Sequence, residues 1–198
     1  MQDTLLKMAL YVSLVLIVPG PTNTLLLSSG LKVGVRRTSP LIAAEALGYV
    51  VGISLWGFFL SAVSAKQPWL PMAVKLVSSV YILFLAAKIW RQSGALQHVT
   101  ASPVCLRDMF LTTVMNPKAL LFASTLFPLA AFRSASDFAW TIGVFLSVLV
   151  PIAIGWSYLG VLLTARQTWA PHTPTLLRGA SLVLLVFSGT LMYSVLGR

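Results

Sequence analysis

Charge is scarce in this chain: only 9% of its 198 residues are Asp, Glu, Lys or Arg, and just four of those are acidic. Soluble domains carry about 25% charged residues, so a soluble globular fold is excluded. Cysteine occurs once, at Cys105, which rules out an internal disulfide and a CxxC redox pair. The two histidines, His98 and His172, fall in loops without carboxylates or thiolates clustered around them. No metal site and no cofactor are therefore expected. A glycine-rich phosphate loop is also missing, so ATP is not the energy source.

What is present is apolar length. Hydrophobic residues make up 58% of the chain, and the mean hydropathy is +0.89. Six uncharged or nearly uncharged runs stand out: Met8–Ser29, Leu41–Ala65, Pro71–Trp90, Met109–Phe132, Phe138–Thr164 and Arg178–Leu196. At about 20 residues per membrane helix they use nearly the whole chain. The expected fold is an all-α integral membrane protein of six transmembrane helices in one domain, residues 1–198. The first run is too long for a secretory signal and reads as an uncleaved span.

The net charge of +10 comes from basic residues set singly between apolar runs. That pattern orients a membrane protein and does not point to nucleic acid. Lys32, Arg36, Arg37, Lys88, Arg91, Arg107, Arg166 and Arg178 share one face; Lys7, Lys66, Lys75, Arg133 and Arg198 share the other. The richer face is read as cytoplasmic, which places both termini outside.

Two proline breaks interrupt spans that otherwise cross cleanly: Pro19-Gly20-Pro21 in the first and Asn116-Pro117-Lys118 in the fourth. Backbone groups freed at such breaks find no partner in hydrocarbon, so they belong inside the protein, around a cavity. At 1.5 Å per residue, Gly20 and Pro117 lie about 13 Å and about 12 Å from the same face. Short apolar stretches follow each break, Thr24–Ser28 and Ala119–Ala123. Three spans per half, approximately 1–95 and 96–198, give two inverted repeats with broken first and fourth helices, the plan of many secondary carriers.

Two charges lie within the spans. Lys118 is about 14 Å deep and Glu45 about 6 Å in. Buried charges in a membrane face the bundle interior and seek partners, and Glu45 is the sole acid within any span. Two readings stay open: a Glu45–Lys118 pair that only ties helices together, or a part in substrate or proton handling. Glu45, Gly48 and Gly52 share a helix face, and the two glycines permit close helix packing, within one chain or in a homodimer. A zwitterion needs donors for its carboxylate and acceptors for its ammonium. Amides at the half-helix starts, Asn23, Asn116, Lys118 and Glu45 provide both.

At these residues the chain resembles the LysE/RhtB family of amino-acid exporters. The resemblance rests on Pro19-Gly20-Pro21, the basic loop Gly34-Val35-Arg36-Arg37, Gly48 and Gly52, Phe110, Asn116-Pro117-Lys118, Phe122 and Phe127-Pro128. Many relatives carry an acid directly after Pro-Gly-Pro, where this chain has Thr22-Asn23-Thr24. The resemblance implies export of amino acids or similar small zwitterions across a bacterial inner membrane, driven by the proton gradient through alternating access. It implies a lipid bilayer and a small-molecule substrate as partners, and a substrate site at Pro19, Gly20, Pro21, Asn23, Asn116, Pro117 and Lys118. Glu45 is the expected proton-coupling group. The rival readings are a membrane channel or an exporter of another small solute or ion. An intramembrane enzyme is not expected, since both histidines fall outside the spans.

Overall fold

The computed structural model describes residues 2–64, 66–67, 69–92 and 104–165, with Arg178, Leu182, Leu185, Val186, Ser188, Gly189, Met192 and Tyr193 beyond them. His98 and His172, and most of the sixth run, lie outside the described residues. Among the described residues the chain is helical and contains no strand.

Helix α1 (Gln2–Ile17) stops where its hydrogen-bond ladder fails. The i+4 partners of the Val15 and Ile17 carbonyls are Pro19 and Pro21, which have no N–H. The chain restarts with Pro21 as the first residue of α2 (Pro21–Ser64), a position where a missing N–H costs nothing. Gly34 then interrupts α2 with φ 80° and ψ 166°, a conformation open essentially to glycine alone.

At Gly34 the helix folds back on itself. The Ser29 and Thr38 hydroxyls share a 2.9 Å hydrogen bond across the fold, and Leu26 packs with Leu41 and Ile42. Residues 21–33 and 35–64 are therefore antiparallel limbs of one hairpin. The loop expected between Ser29 and Leu41 is helix on both sides of a single glycine.

Helix α3 (Leu70–Gln92) follows. The fourth run is four short pieces: α4 (Leu106–Val114), α5 (Pro117–Leu121), a π-helical turn (Phe122–Leu126) and a 3₁₀ turn (Leu129–Phe132). Asn116 ends the first gap as the N-cap of α5, its Oδ1 accepting the Lys118 N–H at 3.0 Å. Pro128 explains the later pieces. It forces Phe127 into an extended conformation (φ −72°, ψ 134°), and the Phe127 N–H reaches back five residues to the Phe122 carbonyl at 2.8 Å. Helix α6 (Ala135–Ala165) runs unbroken through Pro151.

Packing is dense where glycines meet backbone. A Cβ on Gly30 would collide with the Ser157 carbonyl, and one on Gly160 with the Leu27 carbonyl, so the first limb of α2 and α6 cross nearly in contact. Along the second limb, Gly48 faces Thr113 and Phe110, Gly52 faces Ala119 and Val114, and Gly57 faces the Phe132 ring. Gly48 and Gly52 thus seat α2 on α4 and α5 of the same chain.

The polarity of the fold is that of a membrane protein. Glu45 and Lys118 are buried, whereas Leu55, Val77, Phe84 and Val186 are each about 60% exposed or more. Water would penalise that exterior and lipid does not. The α2 hairpin (Pro21–Val63) and Ala135–Leu163 each contain a stretch long and apolar enough to cross a membrane.

Candidate functional site

The two breaks meet. The Lys118 ammonium donates to the Val15 carbonyl at 3.0 Å and the Val18 carbonyl at 2.8 Å. These acceptors are released because Pro19 cannot donate and because α2 begins only at Pro21. The cation also stands at the C-terminal end of α1, where the helix dipole favours positive charge. Gly20 completes the contact: a Cβ there would lie 3.1 Å from the ammonium nitrogen and 3.2 Å from Cε.

Asn23 serves the same break from the other side. Its Nδ2 donates to the Leu16 carbonyl at 2.7 Å and the Val18 carbonyl at 2.9 Å. The Thr24 hydroxyl and N–H both donate to the Gly20 carbonyl at 2.9 Å. Asn116, besides capping α5, donates through Nδ2 to the Tyr49 hydroxyl at 3.2 Å. Tyr49 in turn sits edge-on to Phe122 and Phe145, each centroid 5.6 Å away. This aromatic wedge fixes the second limb of α2 against the π turn and α6.

Glu45 stands apart from these bonds. It is 0% exposed, and neither carboxylate oxygen makes a well-formed hydrogen bond. The Thr22 hydroxyl faces both Glu45 and Tyr49. Lys118 acts on Glu45 through space, without a direct ion pair, and the α1 carbonyls hold two of its three donors. An acceptor buried without a partner is costly.

The expected site residues divide. Pro19 and Gly20 are half-buried, while Gly20, Asn23, Asn116 and Lys118 cluster through the bonds above. Pro21 and Pro117 are exposed, and Pro117 lines an outward groove with Leu55, Trp56 and Phe59. These two prolines shape the backbone and do not face the interior. Thr22 and Tyr49 were not singled out from the sequence. Tyr49 lies one helical turn after Glu45 on the same face, and that spacing was the available signal. Among the described residues no group of His, Cys, Asp and Glu is arranged to hold a metal.

A lipid-compatible helical exterior around two interlocked helix breaks defines an integral membrane translocator. The chain belongs to the LysE type translocator family, whose model matches residues 13–195. Among curated proteins it is 28% identical over 134 residues to a cysteine/O-acetylserine efflux protein of Salmonella paratyphi A, covering 68% of this chain and 69% of the relative. Over the same coverage it is 27% identical to the protein of that name from Salmonella typhimurium and 24% identical to that of Escherichia coli K12. No solved structure matches.

Proposed function

We propose that this chain exports a small polar amino acid or a close derivative across the bacterial inner membrane, by alternating access coupled to protons. The observation that carries this reading is the isolated Glu45 carboxylate beside two breaks already satisfied by Lys118, Asn23 and Asn116. An ammonium group entering this core finds the uncommitted carboxylate oxygens of Glu45. In its absence a proton neutralises the same oxygens, which gives a direct exchange of cargo for proton. The cargo carboxylate then falls to the N–H groups that open the first limb of α2 after Pro21.

The names of the relatives support a compact, polar cargo such as cysteine or O-acetylserine. The test is efflux of labelled cysteine, O-acetylserine, threonine, homoserine, lysine and leucine from preloaded cells with and without the protein. Faster loss of one or a few, stopped by an uncoupler, is the expected result. Unchanged efflux of every compound, with the protein in the membrane, would sink this reading. Uncoupler-insensitive efflux that only follows the concentration gradient would replace the carrier with a channel.

A further inference from the structure

A cavity of about 670 Å³ opens at the hairpin end of the molecule, between the turn at Gly34 and the start of α4. Lys32, Arg37 and Arg107 line it, and no acidic residue does. All three cations are exposed, as is Asp108, which stands outside the lining. The rest of the wall is largely apolar and includes Leu41, Val104 and Leu106.

This combination selects among ligands. A free anion is held best by converging polar groups, whereas here cations stand over an apolar wall. A phosphodiester joined to acyl chains satisfies both parts at once. The cations also lie on the face that the distribution of basic residues assigns to the cytoplasm, where anionic lipid concentrates. We propose that this cavity binds the headgroup of an anionic phospholipid, with Lys32, Arg37 and Arg107 on the phosphate and Leu41, Val104 and Leu106 against the first methylenes. Because Lys32 and Arg37 come from α2 and Arg107 from α4, the lipid ties the first half of the chain to the second. The site requires a membrane-embedded chain but no particular cargo.

Cys105 supplies the readout, since it is the single cysteine, is exposed, and lines this cavity. The full-length protein in detergent is reacted with an uncharged maleimide, with phosphatidylglycerol, phosphatidylcholine or inorganic phosphate added. Phosphatidylglycerol is expected to slow labelling severalfold while the other two leave it unchanged. The K32Q/R37Q/R107Q variant, and R107Q alone in case the triple change disturbs folding, is expected to lose that protection. Equal protection by phosphatidylcholine would overturn the proposal in favour of unspecific coverage by lipid. Protection by inorganic phosphate alone would make this a free-anion site. Undiminished protection in both variants would show that these cations do not hold the headgroup.

Discussion

Lys118 and Glu45 are an ionisable base and acid buried in one interior, yet the contacts around them predict opposite phenotypes. Lys118 completes the backbone of α1, so K118M leaves the Val15 carbonyl unpaired, at about 1–3 kcal/mol for a buried polar group, while Val18 keeps its bond from Asn23. The variant is expected to insert, to unfold at a lower temperature in detergent, and to lose export. Normal export would reduce Lys118 to packing. Glu45 makes no well-formed hydrogen bond, so E45Q removes a buried ionisable group without breaking one. It is expected to unfold no earlier than the wild type while losing export and its dependence on pH. Retention of both would end the case for proton coupling there. Y49F removes the hydroxyl that Asn116 Nδ2 donates to and that Thr22 faces, and should cost about 1–3 kcal/mol in a denaturation assay while export persists. From sequence, Glu45 was paired with Lys118 because it is the sole acid within any span. Which of them was already satisfied depends on carbonyl positions about 100 residues away in the chain, which no local pattern encodes.

At the scale of elements, the glycines of α2 and α6 separate backbone need from space. Gly34 has nothing near its absent Cβ, so the cost of G34A is backbone strain alone, about 1–3 kcal/mol in thermal unfolding. On α6, Gly160 presses on the Leu27 carbonyl whereas Gly155 faces open space. G160L is expected to destabilise strongly and G155L hardly at all, a contrast readable from melting curves of the two proteins. The breaks after Ile17 and before Pro117 were legible because proline removes a donor wherever it stands. Pro128 carried the same signal, but the π turn it provokes depends on how Phe127 recovers a hydrogen bond. Pro151 shows the converse, since α6 passes through it without a break. The Gly34 fold was hidden in a run read as loop, because helix periodicity on both sides was cut short at Ser29 and Leu41.

For the whole molecule, hydropathy was enough to give the helical class, since backbone in lipid must satisfy itself. It could not say which helices touch. The contacts of Gly30 with Ser157 and of Gly48 with Thr113 join the two halves of the chain side by side, and small residues announce closeness without naming a partner. Reading the face that carries Lys32, Arg37 and Arg107 as cytoplasmic, on the distribution of basic residues, places both termini outside. A C-terminal alkaline phosphatase fusion is then expected to be active and a fluorescent-protein fusion dark, and the reverse result would invert the orientation. The hold of Lys118 on α1 also sets an order of assembly. When the ribosome has finished Val15, the residue that will cap its carbonyl is still 103 residues from being made. The first span therefore enters the bilayer as an unfinished object, with a bare carbonyl at Val15, and waits for the fourth to complete it. A nascent chain released before Lys118 leaves that wound open, which makes the early fragment prey for membrane proteases, and the second half, supplied separately, its natural rescuer.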